Sequence, residues 1–165
     1  MVGAYTSRKG VWRMKTVNFE VVGKIKGKAR PRVTKTGHAY TPDSTVEYEQ
    51  LVQLAYKSRC GSVFFGNVEG SAEKQPIEVY IRAMYAIPKS YTKGRRLAAV
   101  HNMLLPTKKP DADNIAKIIC DALNGVAYAD DAQIVKMRVD KVYTSGAERV
   151  AVWISEVEGL NEEEE

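Results

Sequence analysis

Apolar and polar residues alternate along four segments of this 165-residue chain, a period typical of β-strands with one buried face. The predicted strands are residues 16–25, 76–88, 133–144 and 148–156. In the second strand, one face carries the apolar residues Ile77, Val79, Ile81 and Ala83, and Pro88 ends the strand. The turn-forming residues SGA join the last two strands.

Helical spacing of apolar residues marks the segments between these strands. The predicted helices are residues 44 to about 60, residues 91–101 and residues 113–124. Asp43 or Ser44 can cap the first helix, with Glu47 completing a capping box. The apolar stripe expected to face the core on that helix is Val46, Leu51, Leu54 and Ala55. The second helix is short and basic.

The third predicted helix has the clearest apolar face of the chain. Its members are Ile115, Ile118, Ile119, Ala122 and Leu123. Asn114, Lys117 and Asp121 fall on a separate polar face, and Asp113 is well placed to cap the helix. The pair Asn124-Gly125 supplies the left-handed residue that commonly ends a helix.

The order of these elements is strand, helix, strand, short helix, helix, strand, strand, without an internal repeat. This order predicts a single α/β (α+β) domain whose mixed β-sheet packs against helices. A chain of this length has room for one domain with a substantial core. We assign residues 16–157 to the domain, residues 1–15 to a flexible basic N-terminal extension and residues 158–165 to an acidic disordered tail.

Composition narrows the class of protein. No stretch has the roughly 18 consecutive apolar residues of a membrane span, and the N-terminus lacks the apolar core of a signal peptide. Cys60 and Cys120 are too few for a disulfide scaffold or a four-cysteine zinc site. The sequence therefore predicts a soluble, intracellular protein with reduced cysteines.

Positive charge dominates the body of the chain. The net charge is +5, but six acidic residues lie among the last ten, and the other 155 residues carry 25 basic and 14 acidic groups. A body this basic indicates a polyanionic partner, of which nucleic acid is the commonest. The densest basic cluster lies in the Gly- and Pro-rich loop of residues 26–44 and just before it: Lys24, Lys26, Lys28, Arg30, Arg32 and Lys35. Lys93, Arg95 and Arg96 form a second candidate group for phosphate contacts.

The segment of residues 108–134, KKPDADNIAKIICDALNGVAYADDAQI, carries the candidate chemistry. Pro110 disfavours a helical Lys109, so the entry to the helix is predicted to be extended. In an extended stretch, Asp111 and Asp113 project to the same side. Lys117 lies one helical turn further on. Two carboxylates and a lysine are therefore expected close together.

A third carboxylate comes from Asp130 or Asp131, which precede the third predicted strand. If one of them folds back beside the first pair, three hard oxygen ligands converge, a set that suits Mg²⁺. With the basic body, this points to metal-assisted phosphodiester chemistry. The alternative is structural, because Asp at a helix cap and an Asp pair before a strand are both common without any metal.

The same segment resembles the signature of the RusA family of Holliday junction resolvases: a Lys-Pro-Asp-x-Asp-Asn run, a helical Lys, Asp-Ala-Leu-Asn-Gly and a later Asp-Asp-x-Gln. A second match lies upstream, where KGKARPRVTKTGHAYTP is similar to the family's basic Arg-Pro-Arg loop and Tyr-Thr-Pro segment. The resemblance implies a Mg²⁺-dependent endonuclease that acts as a homodimer on branched DNA in the cytoplasm of bacteria or phage-infected cells. By position, it implies that Asp111, Asp113 and Asp131 bind the metal and that Lys117 is catalytic.

Other readings of the sequence remain open. One alternative is a non-catalytic DNA-binding module, and another is a metal-dependent nuclease for flaps or forks. His38 and His101 are expected to be surface residues without catalytic roles. Tyr40 and Tyr128 flank the motifs and either pack in the fold or stack on DNA bases, and we favour packing. No Walker-type phosphate loop is present, so no nucleotide cofactor is expected.

Overall fold

A four-stranded mixed β-sheet forms the centre of the protein. The computed structural model describes residues 14–30 and 32–157. Its elements in chain order are β1 (Thr16–Val22), β2 (Arg32–Val33), β3 (Ala39–Tyr40), α1 (Asp43–Cys60), β4 (Ile77–Ala86), α2 (Lys93–Val100), α3 (Ala112–Leu123), a short 3-10 helix (Asp131–Gln133), β5 (Ile134–Thr144) and β6 (Arg149–Glu156). The predicted order and the α+β class are confirmed, and the small β2–β3 hairpin within the basic loop is an addition.

The sheet has the strand order β1-β6-β4-β5. β6 is antiparallel to both β1 and β4, whereas β5 is parallel to β4. The last two strands are adjacent in sequence, but β4 lies between them in the sheet. A parallel pair needs a long crossover connection, and the segment containing α2 and α3 supplies it between β4 and β5. As predicted, Ile77, Val79, Ile81 and Ala83 are all fully buried.

Helices α1 and α3 pack with the sheet in one hydrophobic core. On α3, the predicted face is confirmed, because Ile115, Ile118, Ile119, Ala122 and Leu123 are all buried. Gly125 has φ of +72°, as expected for the residue that ends the helix. The predicted N-cap, Asp113, is wrong by two residues. Asp111 occupies the N-cap, and Asp113 lies in the first turn.

The apolar stripe predicted for α1 is wrong. Its buried residues are Thr45, Tyr48, Val52 and Tyr56, whereas Val46, Leu51 and Leu54 are exposed and Ala55 is only half-buried. The buried face was not recognised in the sequence because two of its members are tyrosines, whose rings pack as apolar groups although their hydroxyls are polar. The Tyr56 ring meets Phe19 edge-on at 5.4 Å, and its hydroxyl donates to the carbonyl of Val63 at 2.6 Å.

The capping box predicted for α1 is also absent. Pro42 is the N-cap, and no side chain caps the helix there. Asp43 instead lies in the first helical turn, where its charge favours the positive end of the helix dipole. The short basic helix α2 is confirmed, and its cap is Thr92, whose hydroxyl accepts from the Arg95 N–H at 3.4 Å.

The corrected face of α1 leads to a stability prediction. Replacing Val52 by alanine is expected to lower the free energy of unfolding by about 2 kcal/mol, since it removes buried methyl groups and leaves a cavity. Replacing Leu54, which is 64% exposed, by alanine is expected to change it by less than about 0.5 kcal/mol. Urea unfolding of both variants measures this difference. A larger loss of unfolding free energy for Leu54→Ala than for Val52→Ala would instead support the apolar stripe predicted from the sequence.

The predicted terminal segments lie mostly beyond the described residues. Of the basic extension, only Met14 and Lys15 are described, and the acidic tail of residues 158–165 lies wholly outside. The Lys15 N–H donates to Glu156 Oε2 at 2.8 Å, which ties the chain before β1 to the end of β6. Among the helices of residues 14–30 and 32–157, none has the length and apolar character needed to cross a membrane.

Candidate active site

The beginning of α3 brings together two carboxylates and a lysine. Asp111 is the N-cap residue with an extended backbone (φ −71°, ψ 154°), and its side chain makes no cap hydrogen bond. Asp113 lies in the first turn, and both residues are exposed. The premise that Asp113 belongs to an extended stretch is therefore wrong. The positive end of the helix dipole nonetheless favours both negative charges at this position.

Lys117 follows Asp113 by four residues on α3 and is exposed. Residues at this spacing are neighbours on a helix surface, with Cβ atoms about 5–6 Å apart. Asn114 and Asp121, which share the predicted polar face, are half-buried. The reason is that the basic loop lies against them, as described below. Lys117 is the member of that face most open to a ligand.

Lys141 holds the turn that leads into α3. Its Nζ donates to the carbonyls of Lys108 and Pro110, the second at 3.0 Å. The ammonium groups of Lys108 and Lys141 lie 4.7 and 5.6 Å from the centre of the Tyr85 ring. Sequence reasoning missed Lys141, because it reaches this turn only through the parallel pairing of β5 with β4.

The Tyr85 hydroxyl lies buried beneath this turn. Among the described residues it has no hydrogen-bond partner. Burial raises the pKa of Tyr85 to about 12, and the negative charges of Glu148 and Asp111 add to the effect. Tyr85 therefore stays protonated at neutral pH and supports the entry to α3 as a neutral aromatic surface.

The second predicted half of the site surrounds the short 3-10 helix. Asp130 is its N-cap. One oxygen of Asp130 accepts from the Ala132 N–H at 3.1 Å, and the other receives the Lys74 ammonium at 2.6 Å. These contacts give Asp130 a structural role, which the sequence did not decide. Asp131, the next residue, is exposed.

The paired carboxylate of Asp130 predicts a pH-dependent contribution to stability. The Lys74 bond and the Ala132 N–H hold the pKa of Asp130 below its ordinary value of 3.8. Because the pKa is lower in the folded state, ionised Asp130 stabilises the fold at pH values above 3.8. This stabilisation is lost as the pH falls through the lowered pKa of the folded state. We expect the melting temperature of Asp130→Asn to be lower than that of the wild type at about pH 6, and the difference to vanish at acidic pH.

Thermal unfolding over a pH series measures this difference. Asp43→Asn is the control, since Asp43 is exposed near a helix N-terminus and the substitution removes the same charge. A difference between the wild type and Asp130→Asn that stays constant with pH would contradict the role given to the Lys74 pair.

Gln133 organises the same region and is a residue that the sequence analysis did not single out. It is 4% exposed. Its amide nitrogen donates to the carbonyls of Phe65, Gly66 and Gln75, and its amide oxygen accepts from the N–H groups of Ala129 and Asp130. The long-range bonds tie the 3-10 helix to the segment that precedes β4. The signal available in the sequence was the Gln of the Asp-Asp-x-Gln motif.

Asp131 makes a small electrostatic contribution at Cys120, in the second half of α3. Burial, with smaller contributions from the charges of Asp121 and Asp131, raises the pKa of Cys120 to about 11. Within residues 14–30 and 32–157, no group of three or more His, Cys, Asp or Glu side chains is arranged to hold a metal ion. The three-carboxylate ligand set of Asp111, Asp113 and Asp131 therefore stays a prediction.

The donor chemistry at the start of α3 fits Mg²⁺. Asp111 and Asp113 supply hard carboxylate oxygens, and the Asp111 carboxylate is not used to cap the helix. Proteins commonly bind Mg²⁺ through one or two carboxylates and leave its other positions to water and phosphate oxygens. These two residues would hold the ion, and Asp131 is the predicted third ligand.

The basic loop lies against the start of α3, beside Asp111. The Lys28 N–H donates to the Asn114 carbonyl at 2.9 Å. A cleft of about 310 Å³ lies between the loop and the helix, and its lining residues are Gly27, Lys28, Lys109, Pro110, Asp111 and Asn114. The two motifs, far apart in sequence, thus meet at one cleft.

The six predicted DNA-binding residues of the loop have different surroundings. Lys24, Arg30 and Lys35 are exposed. The Lys26 ammonium donates to the Ser44 carbonyl at 3.1 Å, and the Lys28 ammonium forms ion pairs with Glu49 and Asp121. The Arg32 side chain lies outside the described residues, and Lys93, Arg95 and Arg96 are exposed on α2. DNA contact by these residues stays a prediction.

The remaining candidates have ordinary surroundings. His38 and His101 are exposed. Tyr128 is fully buried, and its hydroxyl donates to the Cys120 carbonyl at 3.0 Å, so the prediction that it packs is confirmed. The Tyr40 side chain lies outside the described residues. Cys60 and Cys120 are both free thiols.

Comparison with known proteins assigns both motifs to one family. The family profile described as endodeoxyribonuclease RusA matches residues 23–155, which include the basic loop, α3 and the Asp130-Asp131 pair. The chain belongs to the RusA endodeoxyribonuclease family. A Bacillus subtilis (strain 168) protein described as uncharacterized protein YqaN is 33% identical over 150 residues, which cover 87% of this chain and 99% of that protein. The RusA resemblance seen in the sequence is therefore confirmed.

Proposed function

We propose that this RusA-family protein is a Mg²⁺-dependent endonuclease that resolves Holliday junctions and related branched DNA in recombination and repair. The observation that supports this most strongly is the meeting of the basic loop with the carboxylate-bearing start of α3 at one cleft. Phosphodiester hydrolysis needs both a site for anionic DNA and a group that stabilises developing negative charge. The exposed basic residues of the loop are candidates for the first task, and Lys117 together with a metal held by the carboxylates is the candidate for the second.

Asp111, which lines this cleft, and Asp113 in the first turn of α3 are the proposed metal-holding residues, with Asp131 as a third. Bound Mg²⁺ supplies a Lewis acid and lowers the pKa of a water molecule. The carboxylates would hold and orient the ion at the start of α3. Lys141 and Tyr85 hold the turn that positions Asp111.

Lys117 is the proposed catalytic lysine. Its ammonium lies one helical turn from Asp113 and is exposed, so it can approach a phosphate oxygen of the DNA backbone. There it would offset the negative charge that develops on the phosphate oxygens during hydrolysis. The exposed residues Lys24, Arg30 and Lys35 would bind neighbouring phosphates without reading the base sequence.

The proposal includes a homodimer. A four-way junction is pseudo-two-fold symmetric, and resolution requires two symmetric cuts. A two-fold dimer presents two equivalent sites to two equivalent strands, whereas a single site only nicks. The mass of the protein in solution, alone and on a junction, measures this directly. Such an enzyme acts where bacterial or phage DNA lies, in the cytoplasm of the host cell.

The test is cleavage of a synthetic mobile four-way junction by purified protein in Mg²⁺ and in EDTA. Fork, flap and linear duplex substrates are compared at equal salt, because DNA affinity depends steeply on salt. Paired symmetric cuts in Mg²⁺ alone support a resolvase. Preferred cutting of forks or flaps would favour a nuclease of different specificity, and tight binding without cuts would favour a non-catalytic DNA-binding module.

A further inference from the structure

The Lys28 side chain differs from the other described basic residues of the loop by being held between two helices. Its Nζ lies 2.5 Å from Glu49 Oε1 on α1 and 2.7 Å from Asp121 Oδ2 on α3. The three side chains are 22%, 21% and 30% exposed, so the ions are largely shielded from water. Charged pairs that are shielded in this way are harder to break than surface pairs.

The backbone at Lys28 is fixed at the same place. Its N–H donates to the Asn114 carbonyl, three residues after Asp111. Gly27 touches this part of α3 so closely that an added Cβ would lie 2.8 Å from Pro110 Cβ and 3.0 Å from Asn114 Cβ. Only glycine allows this approach without displacing the loop. Residues 27 and 28 therefore form the wall of the cleft that faces Asp111.

The charge balance around Lys28 disfavours a phosphate contact. Two carboxylates surround one ammonium, so the local charge is negative when all three groups are ionised. Partial burial lowers the pKa of Lys28, but the bonds to Asp121 and Glu49 outweigh it and raise the pKa above its usual value. Lys24 and Arg30, in contrast, are exposed.

We infer that Lys28 is a positioning residue, whose ion pairs with Glu49 and Asp121 hold the basic loop against the start of α3, rather than a ligand of the DNA backbone. The inference rests on the proposed function, because the loop is positioned for cleavage of bound DNA. It differs from phosphate contact, the role that residue type alone predicts for Lys28. A small displacement of such a wall can cost much of the rate, since catalysis depends on alignment of the reacting groups.

The two roles for Lys28 predict opposite effects of Glu49→Gln. If Lys28 binds phosphate, loss of a competing carboxylate frees its ammonium, and junction binding tightens while cleavage is kept. If Lys28 positions the loop, cleavage under single-turnover conditions with saturating protein falls about 10- to 100-fold. Asp121→Asn is expected to act in the same direction.

The salt dependence of junction binding provides a second readout, because its slope reports the number of phosphate contacts and not the position of the loop. Each phosphate contact contributes about 0.9 to the slope of log affinity against log salt concentration. We expect Lys28→Met to slow cleavage with an unchanged slope, and Lys28→Arg to recover most of the lost rate. Glu47→Gln is the matched control for Glu49→Gln, because Glu47 is exposed on the same helix and the substitution removes the same charge.

Slower cleavage in Glu49→Gln and Asp121→Asn, with the salt slope unchanged in Lys28→Met, supports the inference. Tighter binding with unchanged cleavage in Glu49→Gln, or a slope lowered by about one in Lys28→Met, overturns it. If the wild type cuts no junction in Mg²⁺, the proposed function fails instead. Amide hydrogen exchange then decides the positioning role: faster exchange at residues 24–30 in Glu49→Gln supports it, and unchanged exchange rejects it.

Discussion

Replacing Asp113 by asparagine is expected to slow junction cleavage in Mg²⁺ by about 1000-fold while junction binding is retained or strengthened. The substitution keeps the shape of the side chain and removes one negative charge from the exposed first turn of α3. Loss of a metal ligand removes several kcal/mol of transition-state stabilisation. Each 1.36 kcal/mol corresponds to a factor of ten in rate. Repulsion between the protein and the phosphates falls at the same time.

Single-turnover cleavage and gel-shift titration at one salt concentration measure the two effects separately. Asp43→Asn is the control, since Asp43 also lies exposed in the first turn of a helix and undergoes the same change of charge. The control is expected to cut like the wild type. Cleavage by Asp113→Asn at the rate of the control, or loss of junction binding, would count against Asp113 as a metal ligand.

Replacing Gln133 by alanine is expected to destabilise the fold by about 3 kcal/mol, which corresponds to a fall in melting temperature of roughly 6–12 °C for a chain of this size. The carbonyls of Phe65 and Gln75 lose their donor, the Gly66 carbonyl keeps only the Gln75 N–H, and two N–H groups lose their acceptor. The site is almost fully buried, so water cannot replace all of these bonds.

Thermal and urea unfolding measure the loss at Gln133, with Gln50→Ala as the control. Gln50 is exposed on α1, and its loss is expected to change the stability by less than about 0.5 kcal/mol. Gln133→Glu separates the donor from the acceptor, because a carboxylate keeps the acceptor oxygen but repels the three carbonyls. Equal melting temperatures for Gln133→Ala and the wild type would show that these bonds add no stability.

The local sequence pattern was sufficient to predict the buried face of an element where that face consists of aliphatic residues. The alternation of β4 and the five-residue face of α3 both predicted the buried side, because each follows from the backbone period alone. On α1, Tyr48 and Tyr56 are buried through their rings, whereas Leu54 faces solvent. Which face of α1 is buried depends on contact with Phe19 and the sheet, and the period along the helix does not contain that information.

The candidate site was predicted in part for the same reason. Asp111, Asp113 and Lys117 belong to one continuous segment, so their proximity follows from helix geometry. Lys141 contacts the turn before α3 only because β5 lies beside β4. Lys28 has the same residue type as Lys24, and only its distances to Glu49 and Asp121 distinguish the two.

The sequence by itself determined the order of the main helices and strands, the α+β class, the RusA family and the candidate residues, since all of these depend on spacing and residue type within short segments. Only the tertiary structure decided that β4 separates β5 from β6, that α1 buries its tyrosines and that the basic loop packs against the start of α3. These features arise from contacts between distant segments, which depend on the shapes and charges of the packed surfaces. A local period along the chain contains no record of them.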